Sequence, residues 1–412
     1  MPTSRTASTD GVRRRPKDRK AQIARVAAEA FSARGYHAVG MDDIAAVLDI
    51  SATALYRHYA NKYDMFRAAV LTLGQQLVDA TNFCDEPSPD PDDEDTARLQ
   101  ARIVDSIVDV ALASRDSAGL YRWEGRYLEG DDQAALMAQI RLVNRRIQIP
   151  LQRRRPALTS SERWTLSSAA MSVMGSIADH RAKLPAPQIK ELMQQLVGAV
   201  LEAELPTAAE AAEQPSVSPR PIAETATVGR YEAVLQQSLL LFDKQGYHET
   251  GMGQIAAAVG IPTSAIYRYF SGKQDILAAV FRRAADRVSG ELTSVLAGVT
   301  DPREALQRLI EAYVASAFAY PELSYVYYTE RVNLGVADQE MLRNVQRSTV
   351  GSWARLLVEA RPEFSSAQAR FVVHAAMALV IDLGRLVSYQ DSAHAQACVR
   401  RMMHVTLGVE SR

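Results

Sequence analysis

Residues 42–59 read DDIAAVLDISATALYRHY, and residues 253–270 read GQIAAAVGIPTSAIYRYF. In each stretch a short apolar-periodic run stops at Asp49 or Gly260, and a second run starts at Ser51 or Pro262. Glycine enters the left-handed region freely, and aspartate tolerates it better than most residues. Both positions therefore read as tight turns. Serine is a good N-cap and proline a good first helical residue. Two short helices joined by such a turn make a helix-turn-helix, whose second helix fits the major groove of a duplex.

Working outward, Gly35-Tyr36-His37 recurs as Gly246-Tyr247-His248, an offset of 211 residues. At that offset Phe31, Met41, Ile44, Tyr56, Arg57 and Lys62 match Phe242, Met252, Ile255, Tyr267, Arg268 and Lys273 without a gap. A fainter echo continues at an offset of 206, where Glu124, Leu128 and Arg141 match Glu330, Leu334 and Arg347. The acidic, proline-broken run from Asp85 to Asp95 accounts for the change and reads as a solvated loop. Between the copies, Pro206 to Val228 is rich in Pro, Ala, Glu, Ser and Thr and reads as a flexible linker.

Each copy reads as all-helical. Ile23, Val26, Ala27, Ala30 and Phe31 keep a 3.6-residue period, as do Ile189, Leu192, Met193, Leu196, Val197, Val200 and Leu201. Val399, Met402, Met403 and Thr406 give the second copy a shorter stripe of the same kind. The expected division is a basic arm (1–16), a first head (17–62), a first helical domain (63–205), a linker (206–228), a second head (229–273) and a second helical domain (274–412).

The chain has 412 residues, 47 basic and 48 acidic, for a net charge of −1, and 47% of it is apolar. That excludes a largely disordered or collagen-like chain. The neutral total leaves room for a locally basic, nucleic-acid-facing surface. Two cysteines, Cys84 and Cys398, cannot build a disulfide framework or a cysteine-rich zinc site, and a reducing cytoplasm is the expected compartment. No apolar run approaches the ~20 residues of a membrane span, and no apolar signal core follows the N-terminus, so neither membrane insertion nor secretion is expected.

The second helix of each motif carries DNA-compatible side chains. The first copy offers Ser51, Ala52, Thr53, Tyr56, Arg57 and His58, and the second Thr263, Ser264, Tyr267, Arg268 and Tyr269. Hydroxyls can bond phosphate oxygens, and arginine can take guanine O6 and N7 together. Met41 and Met252, at the start of the preceding helix, join the same set. Lys62 and Lys273 open the following helix, where an ammonium is placed for phosphate. The arm Arg13-Arg14-Arg15-Pro16-Lys17 could enter an adjacent minor groove, with Arg14 and Arg15 at its centre.

These residues carry a resemblance. Gly-Tyr, then Ile44-Ala45, then Ala54-Leu55-Tyr56-Arg57-His58-Tyr59 with Lys62 resemble the N-terminal domain of TetR-family transcriptional regulators. Ala265-Ile266-Tyr267-Arg268-Tyr269-Phe270 with Lys273 fits the same pattern. The double layout and the basic opening resemble the actinobacterial tandem type, of the kind that represses a mammalian-cell-entry lipid-transport operon. The departure is Asp49, where the family usually has glycine. The resemblance implies three DNA-binding helices per copy, a helical effector domain, and pairing through the eighth and ninth helices. It also implies a double-stranded operator, a small apolar effector such as a lipid, sterol or acyl-thioester, and no cofactor. The two copies would supply both halves of a pseudo-dimer from one chain; two tandem subunits in a larger homodimer are the alternative. Unlike side chains on the two heads imply an imperfect palindrome. A nonspecific architectural DNA binder and a ligand-binding helical protein without regulatory DNA binding are the other readings.

Other features point less sharply. Arg145, Arg146, Arg153, Arg154 and Arg155 read as a solvated face and helix-end partners. Trp123, Met137, Trp164, Met171 and Met174 read as core, as do Tyr313, Phe318, Tyr325, Tyr327, Tyr328 and Trp353. Glu124 and Glu330 read as partners of Arg141 and Arg347, or as solvated. No metal-ligand spacing, phosphate-binding glycine loop or nucleophile elbow is present in the sequence, so no enzymatic activity is expected.

Overall fold

The computed structural model describes residues 19–86, 93–214, 225–390 and 392–409. Among them the regular structure is helical and there is no strand. The first copy runs α1 (Arg19–Arg34), α2 (Met41–Val47), α3 (Ala52–Leu55), α4 (Lys62–Ala80), α5 (Asp93–Ala113), α6 (Ala118–Trp123), α7 (Gly130–Arg154), α8 (Ser160–Gly175) and α9 (Ala186–Glu202). A short α10 (Ala208–Ala212) leads to the second copy. That copy runs α11 (Thr225–Gln245), α12 (Met252–Val259), α13 (Thr263–Ile266), α14 (Lys273–Leu296), α15 (Pro302–Ala319), α16 (Pro321–Glu330), α17 (Val336–Ala360), α18 (Ser366–Leu386) and α19 (Ala393–Leu407).

Three apolar cores form. One fills the first head around Phe31, Ile44, Leu55 and Phe66, and one fills the second around Phe242, Ile255, Ile266 and Phe281. The third belongs to both helical domains at once: Leu166, Val173 and Leu196 of the first copy share it with Phe371, Leu379 and Met402 of the second. Each large side chain removed from water there contributes ~1.5–3 kcal/mol. The expected stripes supply this core. Every one of Ile189, Leu192, Met193, Leu196, Val197, Val200 and Leu201 is buried on α9, and Val399, Met402, Met403 and Thr406 are buried on α19. α8 packs on α18 and α9 on α19, so the two copies face each other through equivalent helix pairs.

Polar contacts cross the same seam. Arg122 lies between Asp179 (3.3 Å) and Asp382 (2.7 Å), and Ser172 donates to Asp382 at 2.5 Å. Trp123 stacks on Tyr328 with centroids 4.3 Å apart. A buried arginine is tolerated only when its charge is matched, and here carboxylates from both copies match it.

Three expectations need correction. The linker is folded in part: a Thr207–Glu210 capping box starts α10, whose buried Ala211 and the neighbouring Gln214 dock the segment on α19, Gln214 accepting from Arg400 at 2.8 Å. The acidic run is not all loop either, since its last three residues, 93–95, lie in α5. Of the five arginines, Arg146 and Arg155 instead cap neighbouring helices. Arg146 is buried, donates to the Val78 carbonyl (2.5 Å) and Thr81 (2.9 Å), and pairs with Asp85. Arg155 donates to the Leu201 and Ala203 carbonyls at the end of α9.

Candidate nucleic-acid interface

Each head is assembled by matching local devices. Gly35 (φ +80°) and Gly246 (φ +83°) end the first helix in the left-handed region, with their N–H groups donating to Phe31 and Phe242. Asp43 accepts from the Gly40 N–H at 2.6 Å to start α2, and Gln254 does the same for Gly251 at 2.7 Å to start α12. The turns close alike. Asp49 has φ +53° and Gly260 φ +73°, and the following N–H groups of Ile50 and Ile261 reach back to the Ala45 and Ala256 carbonyls. Ser51 caps α3 by accepting from the Ala54 N–H at 3.3 Å. Pro262 is the cap residue of α13 rather than its first helical residue, so that helix begins one position later.

The second helix and the turn after it sort their side chains by face. Leu55 and Tyr59 point into the first head, and Ile266 and Phe270 into the second. Ser51, Thr53, Tyr56, Arg57 and His58 are exposed, with Ala52 half-buried beside them; Thr263, Ser264, Tyr267, Arg268 and Tyr269 are exposed on the other head. Tyr56 and Tyr267 are each 55% exposed, so both rings lie on the surface of their heads. Arg57 and Arg268 form no ion pair among the described residues. Tyr269 makes an edge contact with Tyr231, centroids 6.0 Å apart, which steadies one side of that surface.

Four candidates are placed otherwise. Met41 is buried in the core of the first head, and Met252 is half-buried against the second, because each is the first apolar residue of its helix and turns inward. Lys62 donates to the His37 carbonyl at 3.1 Å and lies 4.6 Å from the Tyr36 ring centroid. Lys273 spends all three protons on carbonyls, those of Tyr247 (2.6 Å), His248 (3.0 Å) and Thr250 (2.9 Å). Burial lowers the pKa of both ammonium groups. Both lysines fasten the turn after the first helix; all three Lys273 protons are engaged there, and one from Lys62. Arg14 and Arg15 lie outside the described residues.

The glutamate pair also changes role. Glu124 accepts from the Tyr36 N–H and Glu330 from the Tyr247 N–H, both at 3.1 Å, so each carboxylate ties a helical domain to its own head. Arg141 and Arg347 are exposed and do not reach them. Arg126 of the first copy instead pairs with Glu330 of the second. Recurrence of the glutamates in the sequence was the available signal; the partner was hidden because it comes from the other copy.

Both helical domains contain a cavity. The first, about 760 Å³, has Trp123, Met137, Trp164 and Met171 in its wall; of that group Trp123 and Met174 are buried. The second, about 230 Å³, is walled by Tyr313, Tyr327, Tyr328 and Trp353; Trp353 and Phe318 are core, and Tyr325 faces the first cavity. α4 and α14 reach both places: Lys62 and Lys273 at their starts hold the heads, and Leu77 and Phe281 further along wall the cavities.

The two heads thus define a helix-turn-helix DNA-binding architecture, present twice. The family model described as bacterial regulatory proteins, tetR family, matches residues 23–69 and 234–280, an offset of 211 residues (234 less 23). Each head thus matches that family model, and the chain carries the two matches in tandem. The chain is 31% identical over 113 residues to the HTH-type transcriptional regulator HbdR of an Aromatoleum species, covering 27% of this chain and 49% of that one. It is 41% identical over 66 residues to the HTH-type transcriptional activator FasR of Mycolicibacterium smegmatis, covering 16% and 30%. The chain therefore spans about half the length of the first of these relatives and less of the second. Among solved structures, a TetR-family transcriptional regulator from Bordetella parapertussis aligns at 20% identity and a TM-score of 0.40, over 43% of this chain and 94% of that one.

Proposed function

We propose that this chain is a sequence-specific transcriptional repressor that grips one imperfect palindrome with both of its heads and releases it when a small molecule enters a helical domain. The carrying observation is the shared core of the two helical domains, which gives two unlike reading surfaces one rigid support. Arg57 and Arg268 are the base-reading candidates, with Ser51, Thr53, Tyr56, His58, Thr263, Ser264, Tyr267 and Tyr269 positioning on phosphates or flanking bases. His58 stands where the other head has Tyr269, and Ala52-Thr53 where it has Thr263-Ser264, so the half-sites differ.

The largely apolar cavity walls favour a lipid-like effector, and genes of lipid transport or metabolism are the targets this suggests. Ligand in a cavity shifts α4 or α14, and with it the head that helix opens. Reading heads must meet successive major grooves ~34 Å apart, so a small tilt suffices to break simultaneous contact. No helix among the described residues is long and apolar enough to cross a membrane. A cytoplasmic site of action follows from the proposed DNA partner.

The test is selection of a duplex from a random pool, followed by the mass of the full-length complex on that single duplex. One chain per duplex and two dissimilar half-sites are expected. Two chains per duplex would replace the internal pair with a larger homodimer. Equal affinity for every duplex at fixed salt would make the protein an architectural binder.

A further inference from the structure

The two cavities differ in charge as well as size. Arg122, Arg126, Arg141 and Arg385 stand in the wall of the first, and no lysine or arginine lines the second. Arg122 is balanced by Asp179 and Asp382, and Arg126 by Glu330. Arg385 makes no contact ion pair among the described residues, although the Asp243 carboxylate feels its charge and that of Arg126; it lies over the rings of Tyr325 (4.6 Å) and Trp123 (5.7 Å). Arg126 lies over the same Tyr325 ring at 5.3 Å. Its side chain is only 16% exposed, and its Nε and Nη1 are buried without an acceptor. Buried donors of this kind are costly until an acceptor arrives, and a guanidinium presents them in a fork that fits a carboxylate. Beside them the wall is apolar, with Leu77, Ile107, Met137, Trp164 and Met171.

We propose that the first cavity binds an amphipathic carboxylate, its headgroup between Arg126 and Arg385 and its apolar body along the helices, and that the second head reads its presence. This rests on taking the cavities as effector sites. The line of communication is short. Glu330, 1% exposed, holds Arg126, the Tyr247 N–H of the second head and the Asn333 amide (2.8 Å). A ligand carboxylate on Nε and Nη1 shares the guanidinium charge with Glu330, which Nη2 holds, and weakens that pair. Glu330 is then a buried anion short of its counter-ion, and the turn it fastens loosens. The first copy lacks that contact, since position 332, the equivalent of Arg126, is valine, and Glu124 holds Tyr36 with no arginine in ion-pair contact, Arg126 acting on it only through its charge. A ligand taken up by one copy is therefore sensed by the head of the other.

The full-length protein without DNA tests this, so that failure of the operator reading leaves the result untouched. Titration calorimetry with dodecanoate should show one site per chain, with dodecanol at least about tenfold weaker. Arg385→Leu should bring dodecanoate down to the level of dodecanol and leave dodecanol unchanged, while Arg385→Lys keeps most of the preference. Hydrogen exchange at saturating dodecanoate should quicken around Tyr247 and stay unchanged around Tyr36. Equal affinity for the acid and the alcohol, undiminished dodecanoate binding by Arg385→Leu, or no binding of either probe would overturn the site. Faster exchange at both turns, or at neither, would overturn the crossed reading.

Discussion

His37 and His248 stack on one another across the junction of the two heads, ring centroids 4.5 Å apart and planes 25° from parallel. They are the same residue of the repeated Gly-Tyr-His, so the duplicated motif meets its own copy. Lys62 holds the His37 carbonyl and Lys273 the His248 carbonyl, each ammonium steadying the backbone behind one ring. Burial, then the facing His248 and nearby Lys62, push the His37 imidazole down to about 4, which keeps the stack neutral on that side near pH 7.

Lys273→Met should act on this junction. Three carbonyls lose their donor, and the second head should lose ~1–3 kcal/mol in chemical denaturation. The salt dependence of DNA binding should stay as it was, because the ammonium is already taken. A slope lower by about one ion with undiminished stability would return Lys273 to the phosphates.

Arg57→Ala and Arg268→Ala should leave folding unaltered, since both side chains are exposed and form no ion pair among the described residues. Each should cost ~1–3 kcal/mol on the selected duplex and relax base preference in its own half-site only. Titration of duplexes altered in one half-site at a time measures this. A uniform loss across both half-sites would assign the arginine to the backbone of the duplex.

Gly260→Ala isolates the turn. A Cβ there meets nothing within 4 Å, so the whole penalty comes from holding φ at +73°. It should destabilise the second head by ~1 kcal/mol in urea melts. An unchanged midpoint would mean the turn relaxes out of the left-handed region.

Glu124 sets a pH dependence. It is buried, and burial pushes its carboxyl up to about 7, against the Tyr36 N–H and Arg126, which favour the anion. An acid raised in this way contributes stability that is complete below its ordinary value near 4.5 and is lost as pH rises to about 7. Glu124→Gln keeps an acceptor for Tyr36 and removes the charge. It should be more stable than the parent by roughly 1–3 kcal/mol above pH 7 and no more stable below pH 4.5. Buried His37, His180 and His374, pushed to about 4, about 2 and about 4, work in the opposite sense, losing their contribution as pH falls below 6.5. They are common to both proteins and cancel in the difference. A difference that stays constant with pH would rule out Glu124 as its source.

The heads were legible because their rules are local. Left-handed turns at Asp49 and Gly260, the Ser51 cap and the exposed Tyr-Arg pairs each depend on a few neighbouring residues. The stripes on α9 and α19 were legible too, since a 3.6-residue period declares a buried face. What escaped depends on distant partners. Arg126 and Glu330 are 204 residues apart, and nothing in the spacing of either copy joins them. Met41 and Lys273 were misplaced for a related reason: a residue at a helix start can face solvent or fold back on the preceding turn, and only the packed head decides. An apolar cavity between the long helices was expected, but its wall residues escaped because Trp, Met and Tyr have the composition of a core.

The seams between α8 and α18 and between α9 and α19 join parts of a single polypeptide. Dilution cannot dissociate that pair without unfolding the chain, and exchange with a neighbouring molecule cannot scramble it. An inherited change in one half is expressed once rather than mirrored across an axis. Each half is thus free to drift toward its own side chains, which a symmetric assembly of identical subunits could not allow.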